Sequence, residues 1–394
     1  MSSVIHREMG NFPLKRENST RDLEDRFSQT SLSKSALHLP KDNFHVLQAL
    51  RAIAALLVLV YHINHSIFGQ EKYWSTRPFG LFFEFGHAGV EFFFVLSGFI
   101  IYMAHRQDIG INTRFKSFAW KRFRRVYPVY WVMLAIVVPI FFIFPTVGGG
   151  FERNPLVIAD SISLFHLLGD SGEVLTVSWT LFHEVMFYLV FSLLILSRPI
   201  GMAAIGLWMA VSCFGLVVGS SIRADLQFYV SPLHLLFGMG MFAAWLITTR
   251  RVAYSPVLLV IGVSVFLGTG IDEVYGHYLT PSVLSLLYGV GSMIILVSSV
   301  QLERSGKLRV PKIFVVLGNA SYSIYLVHFV ALSVLAKIAI KFIGDGAPIT
   351  LAGLFIAFSA GALVAGVLFH FVVETPLLAL LSRPKPTRAS AVAQ

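Results

Sequence analysis

The chain has 394 residues, of which 56% are hydrophobic and only 13% are charged. This composition is typical of membrane proteins and excludes an ordinary soluble domain. The net charge of +10 does not by itself indicate a nucleic-acid partner, because basic loops also orient membrane proteins. The single cysteine, Cys213, excludes an internal disulfide and a cysteine-rich metal site.

The two ends of the chain differ from its body. Residues 1–43 mix serine, asparagine and both signs of charge, and they contain no apolar segment. We therefore expect a disordered cytoplasmic N-terminal tail without a cleavable signal peptide. Residues 44–380 are predicted to form one transmembrane domain, and residues 381–394 a cytoplasmic C-terminal tail.

The first predicted span, residues 47–68, carries two ionisable side chains, Arg51 and His62. Eleven positions at about 100° each make roughly three turns, so both lie on one face, about 16 Å apart along the axis. An arginine deep in a membrane costs at least about 2.5 kcal/mol on insertion scales. A snorkelling arginine and a hydrogen-bonded core histidine would explain each residue alone. Two such groups on one stripe favour a functional site.

The next segment alternates apolar and basic stretches. The second predicted span, residues 86–106, contains Glu91 among phenylalanines. Residues 106–125 are strongly basic and are predicted to form a loop that ends in KRFRR. Tyr127-Pro128 is predicted to open the third span, because proline suits a first helical turn.

The remaining spans complete a predicted all-α integral membrane bundle of about ten transmembrane helices. The fourth span, residues 177–196, contains His183 and Glu184; six more are predicted near 200–219, 228–247, 253–270, 279–300, 316–340 and 350–376. Alternate loops carry 17 and 5 Lys/Arg residues. The positive-inside rule therefore predicts that both termini are cytoplasmic.

Glu184 and Glu91 are the candidate partners of His62. Glu184 is predicted to lie roughly 12 Å deep, similar to His62. Glu91 reaches the same depth if its helix begins near Gly86. A carboxylate that orients a histidine makes it a general base. For either glutamate alone, a hydrogen-bonded structural carboxylate is the equally weighted alternative.

Metal binding is disfavoured at the two remaining His/Glu pairs. Adjacent His183 and Glu184 point about 100° apart on a helix, so they do not chelate. His370 and Glu374 are four residues apart, but HFVVE lacks the second histidine of the usual zinc motif. An ion pair near the cytoplasmic face is favoured there, and neutralisation of Arg51 by Glu374 is an alternative.

The KRFRR segment at 121–125 has two interpretations. Topology alone explains a basic cytoplasmic loop. Alternatively, Arg122, Arg124 and Arg125 bind the phosphates of a donor substrate, since the guanidinium group suits bidentate phosphate contacts.

Four blocks of the sequence resemble motifs of the membrane-bound acyltransferase type 3 family, which O-acylates bacterial surface sugars. They are LQALRAIAALLVLVYH, GHAGVEFFFVLSGFII, SWTLFHEVMFYLVF and GNASYSIYLVHFVAL, the last followed by Glu374–Pro376. The resemblance covers about 44–380 and is strongest to the exopolysaccharide acetyltransferase branch. One departure is that many members have two adjacent acids where this chain has His183-Glu184.

The resemblance implies a multi-pass inner-membrane enzyme that transfers an acyl group, expected to be acetyl, from a cytoplasmic acyl-CoA. The implied acceptor is a sugar hydroxyl of an exopolysaccharide or other surface glycan, as polysaccharide or lipid-linked oligosaccharide. Neither a permanently bound cofactor, a metal nor nucleic acid is expected.

The roles that follow are hypotheses. Arg51 and the three arginines of KRFRR hold the donor's phosphates, and His62 deprotonates the acceptor or carries the acyl group itself. A secondary transporter or a glycan exporter without acyl-transfer chemistry is the alternative. The sequence shows neither the internal repeats nor the paired broken helices typical of transporters.

Overall fold

The computed structural model describes residues 44–166, 172–218, 221–343 and 348–382. The predicted N-terminal tail and residues 383–394 of the predicted C-terminal tail lie outside these ranges. Every regular element in the described ranges is helical, as predicted.

The α-helices are numbered here in chain order. They are α1 His45–Tyr61, α2 Gly89–His105, α3 Phe115–Ile143, α4 Pro155–Ser163, α5 Trp179–Leu196, α6 Arg198–Val218, α7 Ala224–Gln227, α8 His234–Thr249, α9 Ser255–Ile271, α10 Pro281–Arg304, α11 Lys312–Asn319, α12 Ser321–Ile343, α13 Pro348–Phe369 and α14 Thr375–Ser382. Three π-helices extend α1, α9 and α13: His62–Phe68, Asp272–Gly276 and His370–Glu374. Three short 3₁₀-helices complete the set: Glu84–Ala88, Asn112–Arg114 and Phe151–Arg153.

Nine helices in the described ranges are long and apolar enough to cross a membrane. They correspond to nine of the ten predicted spans, so the chain is a multi-pass membrane bundle. The span predicted at 228–247 corresponds to α8, which has 16 residues. At 1.5 Å per residue α8 is about 24 Å long, shorter than a hydrocarbon core of about 30 Å.

The predicted helix start at Tyr127-Pro128 is wrong. The helix α3 begins at Phe115 and runs through KRFRR, with Pro128 in its interior. Proline removes one backbone hydrogen bond, but membrane helices tolerate this because neighbouring groups satisfy the freed carbonyl. The KRFRR arginines therefore have helical spacing, and the predicted basic loop is shorter.

Close packing of α2 against α8 depends on two glycines. A Cβ at Gly98 would collide with the carbonyl oxygen of Phe237, and one at Gly240 with that of Val95. Small residues let membrane helices approach until their backbones touch, which maximises van der Waals contact. The SGF segment of α2 thus has a packing function.

Burial divides the spans into inner and outer helices. In the spans of α1, α2, α5 and α10, half or more of the residues in the most apolar 18-residue stretch are buried. In the other five spans the buried share is a third or less. The inner helices α1, α2 and α5 carry Arg51, His62, Glu91 and Glu184. These ionisable side chains therefore face protein rather than lipid, as their cost in hydrocarbon requires.

Candidate active site

A cavity of about 140 Å³ lies between α1, α2, α3, α5 and α12. We call it the arginine cavity. Its charged and polar lining consists of Arg51, Ser97, Arg122, Arg125, Thr180, Glu184, Tyr188, Ser321, Tyr322 and Tyr325. Four of the predicted site residues, three arginines and one glutamate, thus meet in one place.

Helical spacing decides which KRFRR arginines reach this cavity. Arg122 and Arg125 are three residues apart and share a face of α3. Arg124 lies on another face, and its Nη1 donates to Ser382 Oγ on α14 at 2.7 Å. The structure therefore separates Arg124 from the other arginines with which it was predicted to act.

Arg125 is held by an acid. Its Nη1 lies 2.5 Å from Oε1 of Glu374, whose side chain is fully buried. Oε2 of Glu374 accepts from Ser323 at 2.7 Å and pairs with His370 Nδ1 at 2.8 Å. The predicted His370–Glu374 contact is present, and Glu374 pairs with Arg125 in addition. Direct pairing of Glu374 with Arg51, the alternative, does not occur.

Arg51 and Arg122 form no ion pair within 4 Å in the part of the chain that the structure describes. Arg51 Nη1 donates to Gln48 Oε1 at 3.3 Å. The guanidinium of Arg122 lies 5.9 Å from the ring centroid of Phe118 and 5.8 Å from that of Tyr188, and its buried Nε has no hydrogen-bond partner. Two cations with unused donors beside one cavity suit an anionic ligand.

Glu184 is the acid of the arginine cavity. Its Oε1 accepts a hydrogen bond from Ser97 on α2 at 3.1 Å and another from Tyr188, one turn along α5. These donors fix the orientation of the carboxylate. They connect it to the cavity wall and not to His62.

The hydrogen bonds of His62 go to backbone and to a second histidine. Its Nδ1 lies 2.9 Å from the carbonyl oxygen of Val58, and a carbonyl only accepts, so Nδ1 carries the proton. Nε2 of His328 lies 3.3 Å from the same Nδ1. The lone pair of His62 is thereby placed on Nε2. His62 does not pair directly with Glu184 or Glu91, its predicted partners, and its Nδ1 faces Val58 O and His328 Nε2 instead.

His328 is also fixed by backbone. Its Nδ1 lies 2.6 Å from the carbonyl oxygen of Tyr325 and 3.1 Å from that of Ile324. Nδ1 therefore carries the proton, and Nε2 is free to accept from His62. Because Tyr325 lines the arginine cavity and its ring lies 5.8 Å from that of His328, the histidine pair adjoins the cavity wall.

Glu91 lies in a different polar group from Glu184. It is only 6% exposed, and its Oε1 accepts from Ser285 of α10 at 3.2 Å. Its Oε2 lies 3.9 Å from His87 Nδ1 and has no hydrogen-bond partner. The two candidate glutamates therefore serve separate environments.

The side chains of His183 and Glu184 point to different partners, as predicted. It is buried, and its Nδ1 lies 2.9 Å from His234 Nε2 on α8. Its ring packs against Phe228 at 4.6 Å and Phe94 at 5.7 Å. These contacts join α5 to α8 and α2.

Comparison with known proteins decides the family. Residues 44–371 match a family model described as an acyltransferase domain. The chain belongs to the acyltransferase type 3 family. It is 32% identical over 316 residues to the exopolysaccharide production protein ExoZ of Rhizobium meliloti, covering 77% of this chain and 93% of ExoZ. The chain is therefore an O-acyltransferase.

Two further relatives of this acyltransferase show the range of similarity. Acyltransferase MdmB of Streptomyces mycarofaciens is 28% identical over 374 residues, which is 86% of this chain and 93% of MdmB. Peptidoglycan O-acetyltransferase OatA of Listeria monocytogenes is 29% identical over 157 residues, 36% of this chain and 23% of OatA. No solved structure matches the chain.

Two residues of this acyltransferase's site, His328 and Tyr325, were not predicted from the sequence. Both lie in the GNASYSIYLVHFVAL block, in the middle of an apolar helix. The argument that singled out His62, an ionisable group at membrane depth, applies equally to His328. What the sequence does not show is that these two histidines, 266 positions apart, are in contact.

Proposed function

We propose that this membrane acyltransferase transfers an acetyl group from acetyl-CoA to a sugar hydroxyl of an exopolysaccharide or related surface glycan. The observation that carries the proposal is the arginine cavity beside the His62–His328 pair. It offers cations for an anionic donor next to a histidine whose free nitrogen is defined.

The arginine cavity suits one part of an acyl-CoA. Arg51 and Arg122 have no acidic partner among the described residues, and Arg125 is held by Glu374. Guanidinium groups bind phosphate through charge-assisted hydrogen bonds. An acyl-CoA is far larger than about 140 Å³, so in this conformation the cavity accommodates only part of the donor. Arg124 is not part of this proposed donor site.

In the proposed mechanism, Nε2 of His62 is the general base that accepts the proton of the sugar hydroxyl. A hydroxyl is a weak nucleophile at neutral pH, so a base has to remove its proton as it attacks. The hydroxyl oxygen bonds to the thioester carbonyl carbon while its proton moves to Nε2. The carbon–sulfur bond then breaks, and the departing CoA sulfur takes that proton. Acyl transfer through His62 itself is the alternative route.

His328 acts as a positioning residue in this scheme. The acceptors Val58 O and His328 Nε2 both face Nδ1 of His62 and hold the Nδ1–H tautomer. They also stabilise the proton that Nε2 gains during the reaction, since Nδ1–H becomes a stronger donor in the imidazolium.

The proposed orientation follows the distribution of charge. The positive-inside rule supports a cytoplasmic location for the Arg51 end of α1, on the side of the membrane where acyl-CoA is available. The other end of α1, with the π-helix His62–Phe68, then faces the acceptor.

Purified protein tests the proposal directly. When the protein is given acetyl-CoA and de-O-acetylated oligosaccharide, we expect free CoA thiol to be released. The mass of the oligosaccharide should rise by about 42 units for each hydroxyl hydrogen replaced by an acetyl group. Thiol release without a mass gain would show hydrolysis instead of transfer. Absence of both, with folded protein, would refute the proposal.

A further inference from the structure

Three irregular helical segments converge at the end of α1. The 3₁₀-helix Glu84–Ala88 contacts both the π-helix His62–Phe68 and the π-helix Asp272–Gly276. π-Helical turns are rare and occur frequently at functional sites. At membrane depth, irregular backbone is tolerated where it is covered by protein or lines a wet cavity.

Side chains of these segments, together with Tyr61 at the end of α1 and Glu91 on α2, form what we call the Tyr61 cluster: Tyr61, His65, Glu84, His87, Glu91 and Glu273. The Tyr61 ring stacks on His65 with centroids 5.0 Å apart and planes 17° apart. The edge of His87 meets the same ring at 5.5 Å. The ring of Tyr61 therefore lies between His65 and His87 and contacts both.

Hydrogen bonds hold the side chains around this ring in place. His65 Nδ1 lies 2.7 Å from Glu84 Oε2, and His87 Nε2 lies 2.7 Å from Glu273 Oε1. Tyr288 of α10 donates to the other oxygen of Glu273 at 2.6 Å. Such fixed geometry lowers the entropy lost when a ligand binds.

The cluster has unused hydrogen-bonding capacity and is open to its surroundings. Oε2 of Glu91 is buried without a hydrogen-bond partner and faces His87. The side chains of His65 and His87 are 41% and 32% exposed. A buried acceptor beneath accessible side chains indicates a place for a donor from outside the chain.

The chemistry of the cluster favours a neutral, hydroxyl-rich ligand. Its three carboxylates accept hydrogen bonds and repel anions, and Arg77 is the cation paired with Glu84 at 3.1 Å. Tyr61 stacks on His65 and so holds a partly exposed imidazole at the surface of the cluster, where a sugar hydroxyl can hydrogen-bond to it. The cluster also adjoins the proposed base, because the rings of Tyr61 and His62 are 5.1 Å apart.

We propose that the Tyr61 cluster binds a neutral sugar residue of the acceptor and presents its hydroxyl to the neighbouring His62. This inference rests on the proposed function, since it names the substrate class that meets the same histidine.

Saturation-transfer NMR in the absence of acetyl-CoA tests the inference without requiring turnover. The probe is the neutral oligosaccharide fraction obtained by mild acid hydrolysis of the de-O-acetylated surface polysaccharide of the source organism. We expect Tyr61→Leu to weaken its apparent Kd about tenfold, which is about 1.4 kcal/mol. Glu273→Gln should weaken it several-fold. The matched control is Tyr278→Leu, whose side chain is 88% exposed on the same end of the bundle.

The outcomes separate the two proposals. Weaker binding in Tyr61→Leu and Glu273→Gln, with Tyr278→Leu unchanged, supports the cluster; if Tyr61→Leu does not fold, Glu273→Gln decides. Equal Kd values in all proteins, or no binding to wild type, overturn it. If the oligosaccharide binds but no thiol is released, the proposed acyl transfer is refuted and the proposed binding site is not. If thiol is released but neither Tyr61→Leu nor Glu273→Gln changes the Kd, the proposed binding site is refuted and acyl transfer is not.

Discussion

The arginine cavity and the Tyr61 cluster adjoin the same histidine pair, yet they have opposite chemistry. The cavity adjoins the pair through Tyr325 and contains Arg51 and Arg122, which have no ion-pair partner within the described ranges. The cluster adjoins it through Tyr61 and contains carboxylates that already pair with histidines.

This difference shows how one membrane bundle can separate two substrates. Unpaired guanidinium groups attract phosphates, whereas fixed carboxylates accept hydroxyl hydrogen bonds and repel anions. Under the two proposals, a charged donor and a neutral acceptor bind at different ends of α1. Substitutions in each region test whether the two are functionally distinct.

The largest effect is expected where the two regions meet. His62→Ala should lower kcat by about 10²- to 10⁴-fold, the usual range for a lost general base. Thiol release and oligosaccharide mass measure it, with His277→Ala as the control because His277 is exposed. Near-normal acetylation by folded His62→Ala protein would remove His62 from the chemistry.

His328 should affect the same step less strongly. His328→Phe removes one of the two acceptors of His62 Nδ1–H and leaves Val58 O, and we expect kcat to fall about tenfold with both KM values unchanged. His328→Gln retains an acceptor oxygen and should recover most of that loss. If Gln and Phe are equally impaired, His328 serves only packing, because both would then disturb the site alike.

The two glutamates distinguish the regions from each other. Glu184→Gln should mainly lower the KM of acetyl-CoA about threefold, because it removes a negative charge from the proposed phosphate site, whereas Glu91→Gln should mainly raise the KM of the oligosaccharide about threefold. Steady-state kinetics with each substrate varied in turn measures both. If each variant changed the KM of both substrates alike, the two regions would not be functionally distinct.

The smallest effect is expected from a comparison of two arginines of KRFRR, one that lines the cavity and one that does not. Arg122→Lys keeps the charge but loses the planar fork, so the KM of acetyl-CoA should rise about threefold. Arg124→Lys is the matched control, since Arg124 bonds to Ser382 away from the cavity. Both variants keep the same topology signal. Identical kinetics for the pair would assign the segment to topology and leave Arg51 as the donor contact.

Much of the fold could be predicted from hydropathy, but helix starts could not. Apolar runs identify spans because unpaired backbone groups are too costly in hydrocarbon for anything but helices. The start of α3 was missed because KRFRR is not apolar, although a helix does not have to end where the membrane does. The convergence of irregular segments near Tyr61 was missed because turns of π-helix have no reliable sequence signal.

The sequence by itself determined the membrane class, the family motifs and the stripe of Arg51 and His62, because these depend on composition and on local helical spacing. Only the tertiary structure decided the partners. Glu374 pairs with Arg125, and His62 contacts His328, across 249 and 266 positions of sequence. Such contacts depend on which helices pack together, and helix packing in a membrane is decided by close van der Waals fit distributed over many residues.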